Sequence, residues 1–209
     1  LHWDHIQGLP FFVPLLNDGA ILDLYGPTQD GAMSLSEEID SFLRPPLFPV
    51  SLAELPGEVN IIERRGGCFD VGSATVTAVE VTHVGRTLGF RIDAGGASVV
   101  YIPDHQQPGE RATEVADDVL RLCAGADLLI HDAQYDAEEF TRKAAWGHST
   151  VEYAAEVARQ AGVKDLVLFH HDPSHDDAWV QAAQASVSAA SPPFRVFSAV
   201  EGMRLVVGA

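Results

Sequence analysis

His2-Trp3-Asp4-His5-Ile6-Gln7-Gly8 brings two imidazoles and a carboxylate within four consecutive positions. In a turn, side chains at this spacing can face one point, as metal coordination requires. The same residue types recur at the ends of apolar runs further along. His83 follows the run 75–82, Asp104 follows 99–102, His131-Asp132 closes 128–130, and His170 follows 166–169. Side chains at strand ends converge on one edge of a sheet, where layered α/β folds carry their sites. Four such ends bearing His or Asp point to one assembled centre.

The pattern around these ends is regular. Stretches 59–63, 74–82, 87–93 and 98–102 are rich in Val, Ile, Thr and aromatic residues and read as strands. A helix is expected over 113–124, a buried strand over 127–130 and a helix over 150–161. That second helix opens with Ser149-Thr150-Val151-Glu152, an S-x-x-E capping-box pattern. A strand at 165–169, a helix at 176–190 and strands at 195–197 and 203–207 complete the chain. Strands followed by helices, with hairpins in the middle, indicate an α/β or mixed α+β layered domain. Residues 26–58, with a helix expected at 36–43 and then Pro45, Pro46, Pro49 and Pro56, read as a long surface excursion.

The 209 residues suit a single domain with its own core. Thirteen Lys and Arg against thirty Asp and Glu give a net charge of −17. An acidic surface repels phosphate backbones and offers no basic patch to anionic lipid, which argues against nucleic-acid and membrane partners. The two cysteines, Cys68 and Cys123, cannot build a disulfide framework and are expected to pack as small apolar groups. A reduced, cytoplasmic setting follows, and no transmembrane span is readable. The apolar neighbourhood of Phe11, Phe12, Leu47 and Phe48 needs covering, with a homodimer or a lid as the two candidates.

The opening heptapeptide resembles the last four positions, and the following turn, of the H-x-H-x-D-H signature of the metallo-β-lactamase fold family. Thr82-His83 with Leu88-Gly89-Phe90-Arg91-Ile92 is similar to the third-motif His of the branch holding tRNase Z and the cyclic-nucleotide or phosphoribosyl cyclic phosphodiesterases. Tyr101-Ile102-Pro103-Asp104 resembles the strand that delivers the bridging Asp. Trp146-Gly147-His148-Ser149-Thr150 resembles that branch's H-S-T motif, and Leu168-Phe169-His170 the strand carrying the final ligand.

The resemblance implies a four-layer αββα sandwich over residues 1–209, here without its N-terminal strands. It also implies two divalent metal ions bridged by Asp104 and a water or hydroxide. Asp4, His5 and His170 would complete one site, and His2 and His83 would serve the other. The first His of the signature would stand immediately before Leu1, so a longer native protein is expected. Imidazole and carboxylate ligands without thiolate suit Zn²⁺, with Mn²⁺ or Fe²⁺ as alternatives. Asp4 is placed to orient the nucleophile, and His148 corresponds to the group that protonates the leaving oxygen. His170 is preferred over His171 because it directly follows the apolar strand, although a one-residue shift would exchange them. Asp132 is a candidate to orient a ligand or catalytic histidine; a plain strand-terminating Asp is the alternative. His105 and His131 have no assigned role, while His171 and His175 are expected at the mouth or in solvent. The Trp146 ring is read as a pocket wall or as core.

The function implied is a metal-dependent hydrolase, foremost a phosphodiesterase acting on a small phosphodiester or cyclic phosphate. A thioester or lactone hydrolase would share metals and ligands, and a non-catalytic metabolite-binding module would keep the fold alone. In tRNase Z a substrate-binding arm lies between the third-motif His and the bridging Asp. Here twenty residues, read as strands, fill that interval, which sets tRNA processing below a small substrate.

Overall fold

The computed structural model describes residues 1–31, 33–109 and 113–208. The chain divides into two compact units, Leu1–Arg65 and Gly66–Ala209. Each unit has its own buried cluster.

In the first unit a short helix α1 (Trp3–Ile6) is followed by two 3₁₀ turns, Leu9–Phe11 and Val13–Leu16, each with a proline near its start. Strand β1 (Ile21–Pro27), helix α2 (Leu35–Phe42) and strand β2 (Glu58–Arg64) follow. The two strands pair in parallel, Ile21 opposite Glu58 through Pro27 opposite Arg64. Helix α2 is capped by Ser34, whose hydroxyl accepts from the Glu37 N–H while the Glu37 carboxylate accepts from the Ser34 N–H. Leu35, Ile39, Leu43 and Leu52 are buried against Leu24, Phe48, Val59 and Ile61. Residues 26–58, expected as a surface excursion, contribute these four buried leucine and isoleucine side chains. Despite the prolines, their apolar residues at helical spacing form the core of this unit.

The second unit is built on a seven-stranded sheet in the order β3-β4-β5-β6-β7-β8-β9. Strands β3 (Gly67–Val71), β4 (Ala74–Val81), β5 (Thr87–Ala94) and β6 (Ala97–Ile102) form an antiparallel meander. From β6 onward the pairing is parallel, through β7 (Leu128–Asp132), β8 (Asp165–Phe169) and β9 (Arg195–Ser198). The parallel strands alternate with helices α3 (Asp117–Cys123), α4 (Ala137–Lys143), α5 (Val151–Ala161) and α6 (Asp177–Ala189). Parallel pairing needs such crossovers and leaves the central strands apolar, as Leu166, Val167 and Leu168 are in β8. Val119, Leu122 and Cys123 of α3 join Tyr153, Ala154, Val157 and Ala158 of α5 in the core over this sheet.

The topology positions the site. Because β4 and β6 both run antiparallel to β5, their carboxyl ends lie at the same edge of the sheet. The ends of β7 and β8, parallel to β6, join them there. A hydrogen bond from the Gln106 N–H to the Thr82 carbonyl, 2.7 Å, ties the loop after β6 to the end of β4.

Three sequence expectations change. The helix expected at 113–124 is shorter, since α3 begins at Asp117. Helix α5 is capped by Thr150, whose hydroxyl accepts from the Tyr153 N–H, while Ser149 donates instead to the His105 carbonyl. Residues 203–207 form no strand, because their β-prone side chains find no paired neighbour and stand exposed or nearly so. Among the described residues no helix is long and apolar enough to cross a membrane.

The two thiols differ sharply. Cys68 is exposed on edge strand β3, whereas Cys123 is fully buried and burial pushes its thiol up to about 12. One thiol per chain is expected to react with Ellman's reagent in the native protein and two in urea; two reacting without denaturant would contradict this core.

Candidate metal centre

Asp104 lies two residues beyond β6 and is buried, 6% exposed. Its two oxygens face different histidines. The Oδ1 atom stands 3.2 Å from His170 Nε2, and Oδ2 stands 3.8 Å from His83 Nε2. Each contact joins the end of β6 to another strand end: β8 for His170 and β4 for His83. His170 takes a left-handed backbone, φ 59°, which is costly for a residue with a Cβ and recurs at functional positions.

The tautomers follow from the partners. His83 Nδ1 is 2.6 Å from the Gly147 carbonyl, which can only accept, so Nδ1 carries the proton. In a neutral ring Nε2 then presents its lone pair toward a carboxylate oxygen. Two electron-rich atoms facing each other at this range suit a cation between them. Atoms bound to one tetrahedral zinc at about 2.0–2.2 Å stand about 3.3–3.5 Å apart, close to both distances at Asp104. The donor set of imidazole nitrogens around a two-oxygen carboxylate therefore fits a divalent metal centre. Gly147 is needed for this approach: its φ is 95°, and a Cβ there would lie 2.5 Å from His83 Nδ1.

His148 belongs to a different part of the site. Potential ligand atoms of Asp104, His148 and His170 lie within 4.8 Å of one another, and the His148 and His170 rings stack at 4.9 Å. Yet His148 Nδ1 is 2.7 Å from Asp132 Oδ2 and 3.9 Å from Asp104. Nδ1 thus donates to Asp132, leaving Nε2 as the atom able to exchange a proton with a substrate. Asp132 is completely buried at the end of β7. Its Oδ2 also accepts from the His105 N–H at 3.0 Å, and Oδ1 accepts from Gln134 N–H at 3.1 Å and Ser149 N–H at 3.4 Å. Four donors compensate the buried carboxylate.

His105 and His131 form a buried pair beneath. His131 Nδ1 donates to the Asp132 carbonyl at 2.7 Å, and its Nε2 accepts from His105 Nδ1 at 3.2 Å. Burial lowers the pKa of both, and for His105 the neighbouring His131 and His83 add to it. They brace Asp132 as neutral rings.

His171 and His175 both neighbour the Trp179 ring. His175 stacks on Trp179 at 3.5 Å and bonds Glu139 Oε1 at 2.8 Å, so it is tied down and not solvated. His171 lies 6.4 Å from the Trp179 ring, with its pKa lowered by burial and by His175 and His170. In the first unit, His2 stands at the N-cap position of α1 and Asp4 and His5 lie on the helix, all exposed, with His5 Nε2 3.3 Å from Asp4 Oδ2. Trp146 is 62% exposed, which removes the reading of it as core. Sequence reasoning missed the Gly147 carbonyl; the glycine directly before His148 was the available signal.

Residues 1–171 match the family described as Beta-lactamase superfamily domain. The chain belongs to the metallo-β-lactamase superfamily. A ribonuclease Z from Lactococcus lactis subsp. cremoris (strain SK11) is 30% identical, over 81% of this chain and 68% of its own length. Human tRNase Z, short form, is 26% identical with a TM-score of 0.63, covering 83% of this chain and 70% of that one. A diphosphatase of the PhnP family shares the fold, with a TM-score of 0.67 at 18% identity over 98% of this chain and 68% of that one. The chain spans between 24% and 68% of the length of the ribonucleases Z it matches here. The α/β fold class and the family branch read from the motifs are borne out. Net charge alone, however, does not exclude a nucleic-acid partner, since relatives are named as ribonucleases. A summed charge of −17 does not report the local potential where divalent cations would sit.

Proposed function

We propose that the protein is a dinuclear metal-dependent phosphodiesterase acting on a small phosphodiester or cyclic phosphate in the cytoplasm. The observation that carries the reading is the division of Asp104, one oxygen toward His170 and the other toward His83. A carboxylate presented in this way suits a ligand shared by two ions. The motif resemblance assigns Asp4, His5 and His170 to one ion and His2 and His83 to the other, and these residues would hold them, with zinc the favoured metal. When bound, two divalent ions supply Lewis acidity at the phosphoryl oxygen and a water of lowered pKa.

The residues of the chain do the rest. Gly147 fixes the His83 tautomer so that Nε2 faces the centre. Asp132 holds His148 with Nε2 free to protonate the leaving oxygen, the role of a general acid. Asp4 orients the attacking water. The interval between His83 and Asp104 is filled by β5 and β6, leaving no arm of the kind that grips tRNA in tRNase Z. This favours a small substrate.

The test is turnover of bis(p-nitrophenyl) phosphate by the purified chain, with bound metal measured by elemental analysis. Metal-dependent hydrolysis, lost on chelation and restored by Zn²⁺ or Mn²⁺, is expected. Preference for S-lactoylglutathione or a homoserine lactone over the phosphodiester would overturn the substrate class. Absence of metal binding would overturn the centre and leave the metabolite-binding module.

A further inference from the structure

We propose that Trp146 is a stacking platform for a nucleobase, so that the phosphodiester cleaved carries a nucleoside beside the scissile phosphate. The inference rests on the phosphodiesterase reading and names its substrate class.

An indole 62% exposed is apolar surface that the fold leaves in water. Trp146 is nevertheless held in place. Its backbone N–H donates to the Lys143 carbonyl at 2.9 Å, which fixes the loop that carries the ring. The Lys143 ammonium lies 5.7 Å from the centre of the Trp146 ring and 4.6 Å from that of Tyr135. That ammonium is itself anchored 2.8 Å from Asp172 Oδ2. A cation under a ring props it and favours this orientation. Tyr135 in turn meets the His148 ring edge-on at 6.0 Å. The exposed indole is thus a fixed part of the loop that supplies the Gly147 carbonyl to His83 and the His148 imidazole.

Position and chemistry then select the ligand. One residue, Gly147, separates Trp146 from His148, so their Cα atoms stand at most about 7 Å apart, comparable to the distance from a base to the phosphate on its ribose. Val84, 51% exposed, lies against Gly147 and extends the apolar rim. The one cation described in this cluster, Lys143, is committed to Asp172. With that cation paired, the exposed indole face offers stacking to a flat base and not charge to a further phosphate. Every base offers such a face, so the platform tolerates any base.

The test compares thymidine 5′-(p-nitrophenyl phosphate) with methyl p-nitrophenyl phosphate, two esters with the same leaving group. W146A is expected to raise KM for the thymidine ester about tenfold, the order lost with one base–aromatic stack, with kcat little changed. The methyl ester should be unaffected, and W146F should retain most of the affinity. Equal responses of the two esters, or no response, would overturn the platform. A second readout is independent of turnover: thymidine 5′-monophosphate should quench tryptophan fluorescence in the wild type, ribose 5-phosphate should not, and W146A should lose the effect. If the wild type cleaves neither ester the hydrolase reading fails, while this quenching still decides the platform; identical quenching in W146A overturns it.

Discussion

Asp104→Ala is expected to abolish measurable phosphodiester turnover, a loss of about 10³-fold or more, and to strip metal from the protein. The size follows from the position. Losing one preorganised electrostatic group in an active site costs about 10²–10³ in kcat, and residues that merely orient ligands cost about 10–100-fold in metal affinity. A carboxylate with one oxygen toward His170 and the other toward His83 would serve both ions together. Asp104→Asn is the sharper variant, because it keeps the volume and one oxygen while removing the charge that offsets two cations. Both variants should fold, since the buried helices and strands of the second unit are untouched. Their metal-free forms should match the metal-free wild type in urea midpoint, while added zinc should raise the midpoint of the wild type alone. Retained turnover in Asp104→Ala would sink the shared-ligand reading outright.

Much of the second unit was legible because its strands obey local rules. The expected strands 74–82, 87–93 and 98–102 fall on β4, β5 and β6, where β-branched residues alternate between turns. β3 escaped notice because Gly67-Cys68-Phe69-Asp70-Val71 is an edge strand, exposed over most of its length and paired on one side. β1 was hidden for another reason. Gly26-Pro27 reads as a turn, yet both residues lie in the strand, and Gly26 is there because a Cβ would meet Leu35 Cδ2 at 2.7 Å. Short α4 carried a D-x-x-E cap at Asp136 and Glu139, but Phe140 is its single buried residue and no apolar stripe announced it. Conversely, 203–207 has β propensity and no strand to pair with.

The site divides in the same way. Histidines and aspartates that terminate strands stand out in sequence because burial patterns end there. Pairings formed by tertiary structure do not, and the Asp132–His148 contact joins the end of β7 to the residue three before α5 across 16 positions. The tautomer of His83 likewise depends on a carbonyl 64 residues away.

Asp132→Asn carries the second large effect. Asp132 receives four hydrogen bonds with no described cation beside it: His148 and the His105 N–H on one oxygen, Gln134 and Ser149 N–H groups on the other. An amide can supply only one acceptor oxygen, so its NH₂ must face donors on one side. If it faces His148, the imidazole loses the acceptor that keeps the proton on Nδ1 and rotates or changes tautomer. If it faces Gln134 and Ser149, two buried N–H groups lose their partner, at about 1–3 kcal/mol each. Either way Nε2 is no longer held toward the leaving oxygen. The expected fall in kcat is about 10²–10⁴, the range for a positioned general acid, with KM and metal content near wild type. His148→Ala should fall by a similar factor, and the double variant should fall no further, because the two residues act as one unit. A substrate with a good leaving group separates this role from a structural one. p-Nitrophenolate needs little protonation, so both variants should recover most of their turnover on p-nitrophenyl esters and remain slow on alkyl or ribosyl leaving groups. Equal loss on both kinds of ester, or additive losses in the double variant, would remove His148 as the acid and Asp132 as the group that positions it.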